Sequence, residues 1–479
     1  MKFRPSTGPS AARSIARKRG ASVIERFGDL GWTRLSLPSG KRTQEAIAEF
    51  LNDPSVEAAQ PNFYYRLHLT PNDPSFGSLW GMAKISAPEA WETTTGSPEV
   101  VIANIDTGTR LDHEDLAANL WTNSNEVANN GIDDDNNGFV DDFYGYDFFF
   151  NDPDPSDQHN HGTHTAGTLG AVGNNGLGVV GVNWNVKIMS IKIYNSSGFG
   201  TTSAMLINAY NYVRMMKLRG VNIRVTNNSY GGCDEACGYD QATKDAIDAL
   251  GDAGVLQVFS AGNDGNNSDV LPSYPAAYDS PSIISVANST SSDTRNTSSN
   301  FGPLSVDLAA PGTSILSTLM SAANYGSFSG TSMAAPHVAG AVALLAAHRP
   351  ELSLASLKAT LLNTVDQLPA WNGIVRSGGR LNAARALQEP TICSFQMPED
   401  TVFMPTKGGQ FSLAVSAPAN CDFGAKSNAN WIVVSDAASF SGNSTVTFRV
   451  RLNSTITRNS TVTVAGKSIN IIQSRTGIP

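Results

Sequence analysis

Apolar residues between positions 76 and 388 fall in unbroken runs of strand length, each followed by a longer run with helical spacing. "VIANID", "KIMSIKIYN", "IRVTNNSY", "VLQVFSAGN" and "SIISVAN" have the strand form, and "SAMLINAYNYVRMMKLRG", "ATKDAIDALGDAG" and "MAAPHVAGAVALLAAHRP" the helical one. Strands that are apolar at every position are buried on both faces, so the pattern predicts an α/β fold with a mainly parallel sheet between layers of helices. Such sheets present ligands at the carboxyl ends of their strands. After "RLNAARAL" the pattern shortens to β-branched segments such as "FSLAVSA", "WIVVS", "STVTFRVRL" and "INIIQS", which predict an all-β sandwich. Before residue 66 lie a short strand "KFRP", a helix "SAARSIARKRG" ended by Gly20, a strand "TRLSLP", a helix stopped by Pro54 and a strand "VEAAQPNFYYRL". That segment reads as a small α+β unit, followed by a polar linker "HLTPNDPS". The expected domains are 1–68, 69–389 and 390–479.

Composition changes this picture only at the margins. A length of 479 residues suits two or three domains. No apolar run reaches the ~18 residues that a membrane span needs. Residues 1–70 carry eleven Lys and Arg against six Asp and Glu, while the whole chain is at −9. A basic leader on an acidic body suggests that the two dock. The acidic body argues against a nucleic-acid partner. The start "MKFRPSTGPSAARSIARKRG" lacks the apolar core of a secretory signal, so either the protein is intracellular or the sequence begins after its signal. The four cysteines form two local pairs, Cys233 with Cys237 and Cys393 with Cys421. Disulfides in an exported protein and four free thiols are both compatible with that spacing. A Cys393–Cys421 disulfide is expected, and a Cys233–Cys237 bridge is less favoured by its short spacing.

The chemistry concentrates in three places. "HNHGTH" holds three of the seven histidines. A zinc-protease signature needs His at i and i+4 with a Glu beside the first, and this segment has neither. Asp106 ends the strand "VIANID", His161 opens a helix of small residues, and Ser332 lies where a turn runs into "MAAPHVAGAVALL". A serine hydroxyl needs an imidazole to take its proton, and the imidazole needs a carboxylate to fix its tautomer. These three residues supply those roles.

With "NIDTG", "HGTHTAGT" and "GTSMAAPHVAG" in that order, the chain resembles the subtilisin-like serine proteases, the subtilases, over about residues 71–388. The resemblance implies Asp106, His161 and Ser332 as a triad and Asn263 of "SAGNDG" as an oxyanion donor. It implies peptide-binding strands at Ser229, Tyr230 and Gly231 and at Gly198, Phe199 and Gly200, with Gly262 beside them. Tyr230 and Phe199 are expected to wall an apolar pocket. Asn160 departs from the glycine usual in the family before the catalytic histidine.

Residues 131–160 contain nine Asp and no Lys or Arg, a density that calls for solvation or for a hard cation. The expected cofactor is Ca2+. One site is expected at Asp133, Asp135 and Asn137, which resembles a calcium loop but lacks its twelfth-position Glu. Similarity to thermophilic subtilases implies a second at Asp147, Asp152 and Asp154. It also implies a third at Asp73, Asp115 and Asn175 with the carbonyls of Val172, Leu177 and Val179. The leader resembles a subtilase propeptide, an intramolecular inhibitor. The C-terminal region resembles a BACON-type sandwich, a module associated with glycan contact, although Trp431 reads as a core residue. The resulting expectation is a secreted, self-processed serine endopeptidase acting on polypeptides. The alternatives are a catalytically silent scaffold working at a cell surface and a lipase-like hydrolase. The latter lacks its "GxSxG" elbow.

Overall fold

The computed structural model describes residues 1–63, 69–232, 238–435, 437, 439–453 and 456–474, and the proposed Cys233–Cys237 pair lies outside them. The chain divides into two compact units, 1–68 and 69–479.

The first unit runs strand Lys2–Phe3, helix Pro9–Lys18, strands Ser22–Phe27 and Trp32–Ser36, helix Thr43–Leu51 and strand Val56–Ala58. Its strands form one four-stranded antiparallel sheet. Ala16, Ala21, Ala46 and Phe50 make part of its small core. Strand Ser22–Phe27 is exposed at most positions, so no apolar pattern announces it. The final strand is shorter than its sequence suggests. It stops short of Pro61, which has no N–H to give to a ladder.

The second unit is built on a nine-stranded sheet. Within it, strand Gly96–Asp106 is flanked by Asn185–Lys192 on one side and Ile223–Asn228 on the other. Beyond these lie Gly145–Asp147 at one edge and, toward the other, Leu256–Ser260, Ile283–Ser289, Leu308–Pro311, Gly379–Arg380 and Asp366–Gln367. All pairings are parallel except the last. The winding reverses at Gly96–Asp106, so its carboxyl end is the place where such a sheet opens a crevice.

Strand parity then sorts the chemistry. Val101, Ala103 and Ile105 point into one core, against helix Ser203–Leu218 and helix Gln241–Asp252. Val100 and Ile102 point into the other, against helix His161–Gly170 and helix Thr331–His348. Asn104 and Asp106 share that second parity. The strand therefore delivers its terminal carboxylate to the face that carries both His161 and Ser332.

Residues 401–473 form a five-stranded and a three-stranded sheet around Leu413, Phe423, Val446, Phe448, Val462 and Ile471. Cys393 and Cys421 are bonded, with their Cα atoms 5.5 Å apart. This sandwich does not separate as a third compact unit. Its Asp422 is buried against Arg376 and Lys358 of the α/β body, with N–O distances of 2.7 and 2.9 Å. Burial alone would raise the Asp422 carboxyl, yet Lys358 and Arg376 outweigh it and hold the group well below the usual carboxylate range. The Trp431 ring is half-buried and covered by the Arg458 guanidinium at 4.2 Å, so it is not a free platform.

Candidate active site

Asp106 is the last residue of its strand and is 2 % exposed. Its Oδ1 lies 2.7 Å from His161 Nδ1 and also accepts the Thr107 N–H at 2.7 Å. Its Oδ2 accepts from Thr165 Oγ1 at 3.1 Å. The helix can start this close because residue 162 is glycine. A Cβ there would sit 2.1 Å from the Gly108 carbonyl oxygen. Asn160, just before the helix, has φ 85°, a conformation that Asn tolerates, and its Oδ1 accepts the Ser321 N–H. The departure from glycine is thereby accommodated. Burial disfavours protonated His161, but the Asp106 charge, and after it Asp157, outweigh burial and raise its proton affinity above that of free imidazole.

His164 lies behind the site, its Nε2 2.8 Å from the Ile315 carbonyl oxygen and its ring stacked on Phe328 at 4.6 Å. Burial pushes it down to about 4, so it is neutral. His159 is exposed.

Ser332 is the second residue of helix Thr331–His348. Pro336 lies inside that helix and has no N–H for the Ser332 carbonyl. The Ser229 hydroxyl takes its place, donating to that carbonyl at 2.9 Å. In return Ser332 Oγ donates to the Ser229 carbonyl at 3.0 Å. The reciprocal pair ties the 229–231 strand extension to the serine. Asn263 Oδ1 accepts from Thr331 N and Thr331 Oγ1 at 2.9 and 3.0 Å, which leaves its Nδ2 as the group that can donate outward. Gly262 has φ 106°, and a Cβ there would meet Asn300 Nδ2 at 2.3 Å and Ser273 Oγ at 3.0 Å. Ser273 Oγ is also 3.9 Å from a Cβ built on Gly231, so it sits between the two backbone segments. Ser273 carries no sequence signal of its own.

Phe199 is 68 % exposed between Gly198 and Gly200. Tyr230 differs. Its hydroxyl bonds Tyr210 and Asn228, and its ring packs on Tyr194 and Phe259. A buried phenol needs a partner for its hydroxyl, and here that need turns the ring inward, so only the Tyr230 backbone is left for a substrate.

The three acidic constellations fare differently. Asp73, Asp115 and Asn175 converge on one loop. Asp73 accepts the N–H groups of Asn174 and Asn175, while Asp115 accepts Asn175 Nδ2 and the Val179 N–H. Val172 N–H bonds the Asp115 carbonyl, and the Leu177 N–H bonds Asn175 Oδ1. Asp115 is fully buried with neutral donors only, and burial raises its carboxyl. A hard cation fits that chemistry.

At the second expected site the carboxylates are engaged by donors of the protein itself. Asp147 is paired with buried Lys192, while Asp152 and Asp154 each accept the N–H of a residue two further on. An amine already neutralises the one buried carboxylate there. At the first expected site, Asp133 and Asp135 converge with Glu126, their oxygens within 4.8 Å of one another. Asn137 gives its amide to Asp142 and its oxygen to the Phe139 N–H. Glu126 is 5 % exposed, and its Oε2 has no hydrogen-bond partner. Burial, and then the nearby Asp135 and Asp134 charges, raise its carboxyl against the Asp135 N–H bond. An acidic trio with an orphaned oxygen and one neighbouring Arg219 also fits a hard cation.

A strand-end carboxylate on a helix-start imidazole, with a helix-start serine on the same face, is one of the arrangements in which serine hydrolases place their triad. Residues 97–386 match the subtilase family, and residues 1–62 match the fervidolysin N-terminal prodomain. Thermitase of Thermoactinomyces vulgaris is 35% identical over 320 residues, 67% of this chain and 99% of thermitase. Halolysin of Haloferax mediterranei is 32% identical over 394 residues, 80% of this chain and 68% of halolysin. A solved protease from Pseudoalteromonas arctica superposes with a TM-score of 0.54 at 31% identity, covering 67% of this chain and 99% of that one. The chain belongs to the subtilase family and is a subtilisin-like serine endopeptidase carrying an N-terminal prodomain.

Proposed function

We propose that this enzyme hydrolyses polypeptides with Ser332 as nucleophile, His161 as general base and Asp106 as the residue that orients and charges the base. The 2.7 Å Asp106–His161 contact on the face that also carries Ser332 is the observation that carries this reading. With substrate bound, Ser332 Oγ leaves the Ser229 carbonyl, attacks the scissile carbonyl carbon and gives its proton to His161 Nε2. The new oxyanion takes donors from Asn263 Nδ2 and the Ser332 N–H. His161 then protonates the leaving amine, and water repeats the sequence on the acyl-enzyme. Backbone at 198–200 and 229–231 pairs with the peptide, and Phe199 offers its ring to an apolar side chain on the acyl side.

Two calcium ions would be held, one by Asp73, Asp115 and Asn175, the other by Glu126, Asp133 and Asp135. They would neutralise carboxylates and take no part in bond breaking. Residues 1–68 would inhibit the enzyme until it removes them. Export fits this design, in keeping with a relative from Xanthomonas campestris described as an extracellular protease. No helix among the described residues is long and apolar enough to cross a membrane.

Ser332→Ala tests the reading. Casein hydrolysis should vanish and the leader should stay attached, because one serine makes both cuts. A purified variant that still sheds its leader unaided would overturn the assignment.

A further inference from the structure

Asp157 stands four residues before His161 and is 6 % exposed, yet no cation approaches it among the described residues. Its carboxylate instead collects five neutral donors. Oδ1 accepts from Thr107 Oγ1 at 2.9 Å and from the N–H groups of His159 and Asn160 at 2.7 and 3.2 Å. Oδ2 accepts from Thr163 N and Thr163 Oγ1 at 3.0 and 2.6 Å. Thr107 in turn accepts the Gly162 N–H at 2.8 Å. The residues so joined flank both members of the Asp106–His161 pair.

We propose that Asp157 is a positioning residue for the general base: it fixes the first turn of helix His161–Gly170 against the end of the Asp106 strand and offsets the positive end of that helix. This rests on His161 being the base.

The electrostatic part follows from where the histidine sits. His161 is the first residue of a ten-residue helix. A helix N-terminus carries partial positive charge and disfavours an imidazolium placed there. A carboxylate bonded to the Thr163 N–H, within the first turn, cancels much of that field. The imidazolium that forms during acylation then faces two carboxylates, Asp106 by contact and Asp157 through the turn. The remaining titratable neighbours are His159, whose ring centroid is 6.4 Å from that of His161, and neutral His164. Tyr194 faces Asp106 from the next strand extension and stays protonated. Among the described residues no cation balances Asp157, so its charge is felt at the imidazole.

The geometric part is separable. Thr107 is adjacent to Asp106, and its hydroxyl is shared between Asp157 and Gly162. Cutting that hydroxyl loosens the pair without removing charge.

The test is the pH profile of kcat/KM on the mature, self-processed enzyme, with folding followed by circular dichroism. Asp157→Asn removes the charge, so His161 should titrate lower. The acidic limb should move to lower pH by about half a unit or more. The kcat should fall about tenfold with KM little changed, as for loss of a transition-state interaction. Asp157→Glu should return the limb to its original place. Thr107→Val should lower kcat and leave the limb unmoved. An Asp157→Asn limb that superimposes on the parent enzyme's overturns the electrostatic role. If Asp157→Asn does not fold, Thr107→Val decides, and an unchanged kcat overturns the proposal. His161→Ala separates the two readings. Activity retained there defeats His161 as the base, whereas activity lost there with a null Asp157 result defeats only this inference.

Discussion

At the scale of single residues, one exposed amide and two buried histidines decide different properties. Asn263 spends its oxygen on Thr331 and keeps its Nδ2 for the substrate. Asn263→Ala should therefore lower kcat by about 10²–10³ with KM nearly unchanged, the usual cost of one oxyanion donor, as read by steady-state kinetics on a chromogenic peptide. His164 and His337 are both pushed down to about 4 by burial. An unfolded histidine binds its proton near pH 6.5, so between roughly pH 6.5 and 4 the unfolded chain holds two protons that the folded one refuses. Stability should fall as pH drops through that window, by up to roughly 3 kcal/mol per histidine. Urea midpoints at pH 7 and pH 4.5 measure it, and a flat response would contradict the burial argument.

At the scale of elements, Pro336 and the acidic loop each give a test. Pro336 frees the Ser332 carbonyl for Ser229. Pro336→Ala supplies an N–H that competes for that carbonyl, so the helix should gain about 1 kcal/mol while the serine loses its tie. The expected outcome is an unchanged or higher Tm with a lower kcat. In the loop, cation binding to the folded state alone stabilises it by mass action, about 4.1 kcal/mol per site at a thousandfold excess over Kd. Chelation should lower Tm and speed autolysis while initial turnover holds. Glu126→Gln should lose part of the calcium-dependent rise in Tm. Asp152→Ala should keep all of it, since Asp147 already has Lys192. Equal melting curves with calcium and with chelator would remove the calcium reading altogether.

At the scale of the molecule, the sandwich is locked to the body. Asp422 receives Arg376 and Lys358, and Cys421 beside it is bonded to Cys393. Removing one partner of a buried ion pair leaves the other charges unpaired. Asp422→Asn should lower Tm by about 5 °C, a destabilisation of about 3 kcal/mol in a unit of this size. Because Asp422 is held below the usual carboxylate range, its contribution is fully present above an unfolded carboxylate's pKa and is lost progressively as pH falls from there toward the folded value. Between roughly pH 6.5 and 4 the acid sensitivity therefore belongs to the histidines, and this junction adds to it only at lower pH.

Period and boundary were legible in the chain. Unbroken apolar runs fix a two-sided parallel sheet, because only burial on both faces tolerates them. Strand and helix ends placed Asp106, His161 and Ser332 where polar groups meet rigid supports. Contacts between distant segments were not legible, since nothing local encodes them. Tyr230 turns inward because Tyr210, twenty residues away, offers its hydroxyl a partner. Asp147 meets an amine because Lys192 arrives from the neighbouring strand. Glu126 joins Asp133 and Asp135 because loop closure, not sequence spacing, chooses which oxygens meet. The alternation of side chains along one strand decided the rest. It put Asp106 on the face where the helices of His161 and Ser332 pack, and tertiary packing alone brought those helices there.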